Sequence, residues 1–267
     1  VPLLPRGGGT SQCGQTVGEA LVIDNSRHLN KVTAFDRDAM TVEVQPGIVL
    51  DALNAWLKPH GLWFPVDVST SAQATLGGMA GNNSCGSRSI AYGNMVHNVQ
   101  GIEAILSDGT SEYFGPFGVD AKRPLGAPRS SELVSRLFAI AARERDEIER
   151  LWPRVLRRVG GYNLDVFHPQ SERPYTGDGS VNLSHLLVGS EGTLAYFRRL
   201  VLKLSRLPAA KVLGVVNFPS FHAAMDSAQH IVKLGPSAVE LVDRTMIDLS
   251  RANPVFRPTI ESALIER

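Results

Sequence analysis

Four short glycine-rich segments, widely separated along the chain, constrain this 267-residue sequence more than any other feature. They are Arg6-Gly7-Gly8-Gly9-Thr10-Ser11, Gly77-Gly78-Met79-Ala80-Gly81-Asn82-Asn83-Ser84, Ser89-Ile90-Ala91-Tyr92-Gly93 and Gly189-Ser190-Glu191-Gly192-Thr193. Because glycine has no Cβ and adopts positive φ readily, such segments let main-chain atoms approach a ligand closely. We therefore expect the four segments to surround one large anionic ligand.

The first segment has the composition of an anion-binding turn. Successive backbone N–H groups in a glycine-rich turn form a concave nest for an anion. Thr10 and Ser11 add hydroxyl donors, and Arg6 adds a planar charged group suited to phosphate oxygens. A pyrophosphate fits this set, and an ordinary glycine-rich turn is the alternative. The spacing after Gly9 matches neither the nicotinamide-nucleotide fingerprint nor a P-loop.

The second and third segments add groups that suit a heteroaromatic ring. Leu76–Gly81 is predicted to form one helical turn, whose N-terminus attracts negative charge. Asn82, Asn83 and Ser84 supply amide and hydroxyl groups that pair with the edge of such a ring. Together, the four segments indicate a bound dinucleotide, for which a flavin is the best candidate.

Periodicity and turn residues predict the remaining elements. The predicted strands are Ala20–Asp24, Lys31–Phe35, Met40–Val44, Val99–Leu106, Glu112–Phe114, Leu194–Leu204, Lys211–Phe218 and Ala238–Val242. The predicted helices are Ile48–Lys58, Glu132–Val159 (kinked or split at Pro153), Ser220–Leu234 and a helix starting over Arg244–Ser250. Asp165–Asn182 is predicted to be a long surface loop. The arginines of Glu132–Val159 indicate a solvated helix surface, with a docking site as the alternative.

Composition excludes some classes of function. With 27 basic and 26 acidic residues, the formal net charge of +1 gives no argument for nucleic-acid binding. No apolar run approaches the roughly 20 residues that a membrane-spanning helix needs. Cys13 and Cys85 have no metal-ligand spacing and suggest a reducing compartment, so we expect a cytoplasmic protein, or one peripheral to the inner membrane.

The series RGGGTS, GGMAGNNSCGSRSIAYG, VQGIEAILSDGT and LLVGSEGTL resembles the FAD-binding domain of the vanillyl-alcohol oxidase family, also called the PCMH type. Val44–Gly47, Gly160–Asp165 and Val239–Arg244 are similar to segments of large bacterial FAD-linked dehydrogenases of D-2-hydroxy acids. These include D-lactate dehydrogenases, D-2-hydroxyglutarate dehydrogenases and the glycolate oxidase D subunit. Some carry an additional iron–sulfur segment.

The resemblance implies an α+β fold. A two-lobed PCMH-type FAD-binding domain is expected over residues 1–207, with its first lobe lacking one strand–helix–strand unit. Residues 208–267 are expected to begin an α+β cap domain over the substrate, and the chain is expected to be a fragment. Catalytic residues and any metal ligands are expected beyond Arg267.

The resemblance also assigns FAD contacts, the pyrophosphate to the first segment and the flavin with its ribityl chain to the second. The implied cofactor-binding residues are Arg6, Gly7, Gly8, Gly9, Thr10, Ser11, Gly14, Asp67, Gly77, Gly78, Gly81, Asn82, Ser84, Gly86, Tyr92, Gly93, Glu191, Gly192 and Thr193. The implied reaction is oxidation of a D-2-hydroxy acid by hydride transfer to flavin N5. An iron–sulfur segment or a quinone then accepts the electrons. A non-catalytic truncated scaffold and a flavin reductase of the cell-wall-precursor type are the alternatives.

Several single residues have two interpretations each. His97 is either close to the flavin ring, or it lies behind the site or at the surface without touching the flavin. Cys85 is either a covalent flavin attachment point or a small buried thiol. Tyr162 and Asn163 either face the isoalloxazine or anchor their loop. Glu191 either accepts a hydrogen bond from Thr193 or the cofactor, or caps a helix.

Overall fold

Residues 1–118, 128–170 and 173–264 are described by the structure, a computed structural model. They fall into two units, residues 1–207 and residues 208–267. The strands of the first unit are β1 (Leu3–Arg6), β2 (Leu21–Asp24), β3 (Val32–Asp36), β4 (Thr41–Val44), β5 (Leu62–Trp63), β6 (Val99–Ile105), β7 (Ser111–Phe114), β8 (Pro116–Gly118), β9 (Val181–Asn182), β10 (Tyr196–Lys203) and β11 (Ser205–Arg206).

The helices complete the two units. In the first unit they are α1 (Leu50–Leu57), α2 (Leu76–Gly81), α3 (Ser89–Tyr92), α4 (Met95–Asn98), α5 (Pro128–Arg143), α6 (Arg145–Leu151) and α7 (Ser184–Leu187), with 3₁₀ turns at Lys58–His60 and Leu164–Val166. In the second unit they are α8 (Phe221–Ile231), α9 (Arg244–Ala252) and α10 (Arg257–Ala263), with a 3₁₀ turn at Val232–Leu234. Among the described residues, no helix has both the length and the apolar character needed to cross a bilayer.

A five-stranded antiparallel sheet forms the centre of the first unit, in the order β3-β4-β10-β6-β7. Along each strand, successive side chains point to opposite faces of the sheet. Val42 and Val44 of β4 and Leu200 and Leu202 of β10 are fully buried on the inner face. They pack into one apolar core with the buried side of α1. A separate two-stranded parallel sheet pairs β1 with β2 and places Arg6 at its end.

Most predicted elements of the first unit are confirmed. The predicted helix Ile48–Lys58 is α1 with its 3₁₀ extension, and Gly61 follows it in the left-handed conformation at φ 70°. The predicted turn Leu76–Gly81 is α2. The two predicted strands on either side of Asp108-Gly109 are β6 and β7.

The predicted helix over Glu132–Val159 is wrong in its end and in the position of its break. The break lies at Glu144, between α5 and α6, and the helix ends at Leu151. Trp152 adopts an extended conformation, because the following Pro153 disfavours helical geometry in the residue before it. Residues 152–163 contain no regular structure. Four arginines of α5 and α6 form exposed ion pairs with neighbouring glutamates, as expected for a solvated helix surface: Arg136, Arg143, Arg145 and Arg150.

The prediction that Asp165–Asn182 is a surface loop is also wrong in part. Asp165, Val166 and Asn182 are buried at 1%, 3% and 5% exposure, and Asn182 lies in β9. Polar composition is a poor guide here, because the buried polar side chains form hydrogen bonds. Residues 171 and 172 of this range lie outside the described residues.

Two strands predicted in the second unit, Lys211–Phe218 and Ala238–Val242, are absent there. In the described part of this unit, both segments are without a strand partner. A strand needs a neighbour to bond its N–H and C=O groups, so a suitable local pattern is not sufficient. Val212 and Leu213 are 97% and 82% exposed. The predicted helices at Ser220 and Arg244 are confirmed as α8 and α9.

Candidate cofactor site

Three of the four glycine-rich segments meet at one cavity of about 260 Å³ in the first unit. Predicted residues that line it are Arg6, Gly7, Gly8, Gly9, Thr10, Ser11, Gly77, Gly78, Gly81, Asn82, Ser84, Glu191 and Gly192. These residues come from the end of β1, from α2 and the turn after it, and from the turn before β10. The expectation that separated segments share one cleft is therefore confirmed for these three.

Helix α2 reaches the cavity because of the spacing of its glycines. Leu76, Met79 and Ala80 are separated by three and four residues, so they share one helix face, which is buried in the core. Gly81 lies four residues after Gly77 and three after Gly78, so these glycines share a different face of the helix, and all three line the cavity. Thr75 caps the helix, its hydroxyl accepting from the Gly78 N–H at 3.4 Å.

Main-chain hydrogen bonds hold the fourth segment against the end of α2. The Gly189 N–H donates to the Ala80 carbonyl at 2.9 Å, and the Glu191 N–H donates to the Gly81 carbonyl at 3.0 Å. Glu191 adopts a left-handed φ of 48°, which is unusual for a residue with a Cβ. A Cβ on Gly192 would lie 3.0 Å from Pro5 Cγ, so this segment also packs against β1.

Two glycines of the first segment are required by packing against the protein. A Cβ on Gly7 would lie 2.0 Å from Thr75 Oγ1, and one on Gly8 would lie 2.1 Å from the Gln73 carbonyl oxygen. The first segment therefore lies directly on the residues that lead into α2. Gly9 differs, since no atom lies within 4 Å of its Cβ position.

The positive charge of Arg6 is already shared with a carboxylate. Arg6 Nη2 lies 3.0 Å from Asp24 Oδ2, and both side chains are partly exposed. Hydrogen bonds from Ser26 and from Arg6 lower the pKa of Asp24, so the carboxylate stays ionised beside the guanidinium. A bound phosphate would therefore meet an arginine oriented by Asp24.

Six predicted site residues do not line the cavity: Gly14, Asp67, Gly86, Tyr92, Gly93 and Thr193. Asp67 accepts from Ser87 Oγ at 3.0 Å, and a Cβ on Gly86 would meet the Asp67 carbonyl oxygen at 2.3 Å. The Tyr92 ring packs edge-on against Trp63. For these six residues, a direct contact with the cofactor remains a prediction.

The segment Ser89–Gly93 and the corner at Thr193 make contacts within the protein. A Cβ on Gly93 would lie 2.8 Å from His97 Cγ, so this turn packs on the histidine. Thr193 Oγ1 donates to the Ser190 carbonyl at 2.6 Å and accepts from the Tyr162 hydroxyl at 2.8 Å. Tyr162 thus anchors the loop at Gly161 to the fourth segment.

Further lining residues escaped the sequence analysis: Gln15, Thr16, Asn25, Pro46, Val68, Thr70, Thr75, Met79, Ala195 and Phe197. Ala195 directly precedes β10 and Phe197 is its second residue, so only the alternation of the strand could have assigned them to a face. Gln15 Nε2 lies 3.5 Å from Glu191 Oε1. Gln15 Oε1 is buried, and no hydrogen-bond partner lies within reach among the described residues. This orphaned acceptor and the bare main chain of the lining fit a polar ligand such as FAD.

His97 is a structural histidine that does not line the cavity. Its Nδ1 accepts from the Asn94 N–H at 3.1 Å, and its Nε2 lies 3.4 Å from the Arg173 carbonyl oxygen. These partners require the neutral ring with its proton on Nε2. Burial, together with the charge of Arg173, lowers the pKa of His97 to about 4. The interpretation that His97 approaches the flavin is not supported.

Cys85 and Asn163 also lie outside the cavity lining. Cys85 is half-buried, and burial raises the pKa of its thiol, which favours the interpretation as an inert thiol. Asn163 is fully buried and donates to two main-chain carbonyls, those of His185 and Val188. It is a loop anchor.

Comparison with known proteins agrees with this geometry. Residues 1–114 match the family described as FAD binding domain, and residues 207–266 match the family described as FAD linked oxidases, C-terminal domain. D-2-hydroxyglutarate dehydrogenase of Escherichia coli (strain K12) is 32% identical over 260 residues, which are 96% of this chain and 25% of that protein. Glycolate oxidase subunit GlcD of Bacillus subtilis (strain 168) is 26% identical over 270 residues, which are 99% of this chain and 45% of that protein.

A solved structure of alkyldihydroxyacetonephosphate synthase aligns with a TM-score of 0.61 and 21% identity, over 94% of this chain and 37% of that one, and shows the fold alone. The chain spans about a quarter of the length of the D-2-hydroxyglutarate dehydrogenases that it matches. The predicted fold class and FAD as the cofactor are confirmed by these matches. The chain therefore carries segments of the FAD-binding domain and of the C-terminal domain of the FAD-linked oxidases.

Proposed function

We propose that this chain binds and orients the FAD of a dehydrogenase that oxidises a D-2-hydroxy acid. The observation that carries the proposal is the meeting of three glycine-rich segments at one cavity. The substrate class is supported by the names of relatives that differ in substrate but share the 2-hydroxy-acid group, D-2-hydroxyglutarate dehydrogenase and glycolate oxidase subunit GlcD.

The lining residues divide the binding task by chemistry. The N–H groups of Gly7 to Gly9 and the hydroxyls of Thr10 and Ser11 would hold the pyrophosphate, beside the guanidinium of Arg6. Asn82 and Ser84, whose side chains lie 3.0 Å apart (Nδ2 to Oγ), would bond the ring edge or the ribityl hydroxyls. When bound, FAD supplies a two-electron acceptor for oxidation of the substrate alcohol.

Besides FAD binding, the reaction needs catalytic residues, a domain that covers the substrate and an electron acceptor. We assign no catalytic residue to this chain, and we propose that residues 208–267 belong to a domain covering the substrate. Turnover requires a further electron acceptor, for which we propose an iron–sulfur segment or a quinone. Both cysteines are free, which supports a cytoplasmic location, in solution or at the inner membrane.

Titration of the full chain with FAD tests the proposal. We expect a yellow complex with quenched flavin fluorescence. Gly81→Leu provides a cavity-filling variant, since Gly81 lines the cavity and its Cβ would lie 3.7 Å from the Glu191 Cα, an ordinary contact. Leucine also favours a helix more than glycine does, so α2 should persist.

Gly214→Leu is the matched control, because no atom lies within 4 Å of the Cβ position of Gly214. We expect Gly81→Leu to lose FAD binding while Gly214→Leu retains it. A chain that stays colourless at saturating FAD refutes the proposal. Equal binding by both variants would show that FAD is held elsewhere.

A further inference from the structure

We propose that Arg158 and Asn163 act as a pair of positioning residues that set the spacing of two segments lining the FAD cavity. The inference rests on the proposed function, because it concerns the same cavity. Neither residue lines that cavity. They act through Asn83 and through the turn that begins at Gly189.

The side chain of Arg158 is the centre of a buried polar cluster. It is 13% exposed and belongs to the irregular residues between α6 and the 3₁₀ turn at Leu164–Val166. Its Nη2 lies 2.6 Å from Asn163 Oδ1, 3.1 Å from Asp165 Oδ1 and 3.0 Å from the Tyr175 hydroxyl. Its Nη1 donates to the Gly160 carbonyl at 2.8 Å. A lysine cannot reproduce this set, because the planar guanidinium presents several donors in a fixed fork.

Asn163 connects the Arg158 guanidinium to the residues that precede the fourth segment. Because its Oδ1 accepts from Arg158, its amide NH₂ group faces the opposite side. Nδ2 donates to the carbonyls of His185 at 2.9 Å and Val188 at 2.8 Å. Val188 directly precedes Gly189, whose N–H bonds the Ala80 carbonyl at the end of α2. The amide therefore fixes the chain where it enters the turn that carries Glu191.

The main chain of Arg158 reaches the second segment. Its carbonyl oxygen lies 3.4 Å from Asn83 Nδ2, while Asn83 Oδ1 accepts from the Val96 N–H at 3.1 Å. Asn83 is 1% exposed, has a left-handed φ of 50° and lies between Asn82 and Ser84, which both line the cavity. Arg158 thus contacts Asn83 of the second segment through its backbone carbonyl. Through its guanidinium it contacts Asn163, which holds the entry to the fourth segment.

The choice of variants follows from the charges in the cluster. Asp165 is 1% exposed and pairs with Arg158, so removal of the guanidinium would leave a buried carboxylate unpaired and threaten the fold. Arg158→Lys keeps the positive charge but loses the fork. Asn163→Leu keeps the volume and the Arg158–Asp165 pair, and removes the bonds to His185 and Val188.

Tyr175→Phe is the matched control inside the same cluster. The Tyr175 hydroxyl donates to Asp165 at 2.9 Å and accepts from Arg158, and among the described residues it bonds neither Asn163 nor either lining segment. Its removal disturbs the cluster while leaving the connection from Arg158 to Val188 intact. Arg150→Lys, in an exposed ion pair on α6, is the surface control.

Each full-length variant is titrated with FAD, its bound flavin is examined by visible circular dichroism, and its FAD-free stability is measured by urea unfolding. We expect Arg158→Lys and Asn163→Leu to raise the Kd for FAD by about tenfold and to alter the circular dichroism of the bound flavin at saturation. We expect Tyr175→Phe to lose stability while its Kd stays within about twofold of wild type. Arg150→Lys should match wild type in every measurement.

The outcomes separate this inference from the proposed function. Wild-type Kd and wild-type circular dichroism in folded Arg158→Lys and Asn163→Leu would refute the positioning role and leave the FAD site standing. Loss of FAD affinity in proportion to stability, in Tyr175→Phe as well, would show a structural role alone and refute it too. If Arg158→Lys does not fold, Asn163→Leu decides the matter. A colourless wild-type chain refutes both proposals.

Discussion

We expect the first unit to lose stability as the pH falls through the mildly acidic range, because the side chain of His185 is buried. His185 is 2% exposed, and its Nε2 lies 3.0 Å from the Val99 carbonyl oxygen. Since that carbonyl can only accept, Nε2 carries the proton. Nδ1 is buried and has no partner among the described residues, so a second proton there would find no acceptor. Burial, and to a smaller extent the nearby His97, lower the pKa of His185 to about 4.

The sign of the effect follows from the two states. In the unfolded chain, a histidine titrates near its ordinary pKa of about 6.5. Between this value and about 4, the unfolded state binds a proton that the folded state does not. The stabilisation is therefore complete above the unfolded pKa and is lost as the pH falls toward the folded pKa. At about 1.4 kcal/mol per pH unit, the loss between pH 7 and pH 5 is about 2 kcal/mol for this residue.

Urea unfolding followed by tryptophan fluorescence measures this loss in the first unit, because all three tryptophans belong to it: Trp56, Trp63 and Trp152. We compare the wild-type chain with His185→Gln, in which an amide NH₂ group can still donate to the Val99 carbonyl. The difference between the two cancels other titrating groups, including Asp165, whose pKa is raised by burial and which acts in the opposite direction. Parallel curves of unfolding free energy from pH 7 to 5 would contradict the assignment of a neutral, buried His185.

Three further predictions concern single positions. Gly8→Ala should reduce both stability and FAD binding, by about 2 kcal/mol or more in unfolding free energy, because its Cβ would lie 2.1 Å from the Gln73 carbonyl oxygen; thermal unfolding and FAD titration check it. Glu191→Gly should stabilise the FAD-free chain by about 1 kcal/mol, since it relieves a left-handed φ of 48°, whereas Asn83→Gly should destabilise it through the loss of two side-chain hydrogen bonds; urea unfolding of both variants tests this contrast. The Cys85 thiol, whose pKa is raised by burial, should react with a disulfide reagent more slowly than the exposed Cys13. The rate at which the reagent releases its thiol measures this difference.

The sequence predicted those parts of the fold that depend on local chemistry. The helical periodicity of Ile48–Lys58 was sufficient to predict α1, which ends in a 3₁₀ turn followed by Gly61. The glycine-rich segments were sufficient to indicate a shared ligand. They were not sufficient to tell which of the four segments line the cavity. Ser89–Gly93 packs on His97 and Trp63 and does not line the cavity, a distinction between neighbouring glycine-rich turns that depends on tertiary packing.

The predictions that failed concern segments whose structure depends on tertiary contacts. The polar range Asp165–Asn182 looked solvated, but Asp165 is buried because Arg158 and Tyr175 bond its carboxylate. The predicted strand Lys211–Phe218 has the right composition but belongs to none of the sheets formed by the described residues. In both cases, composition and periodicity do not tell which groups meet in the folded chain, and those contacts decide the outcome.

The glycine-rich motif combines positions with different physical requirements, and this affects how substitutions in it should be interpreted. Gly7 and Gly8 are constrained by protein atoms, because any Cβ there meets Thr75 or the Gln73 carbonyl. Gly9 meets no protein atom at its Cβ position, although its φ of 65° disfavours a side chain. An alanine at the first two positions thus reports on the packing of the loop, whereas one at Gly9 reports on backbone conformation and on the ligand. Loss of FAD binding at Gly8 alone would therefore not demonstrate contact with the cofactor, and the cavity-filling change at Gly81 is the more direct probe.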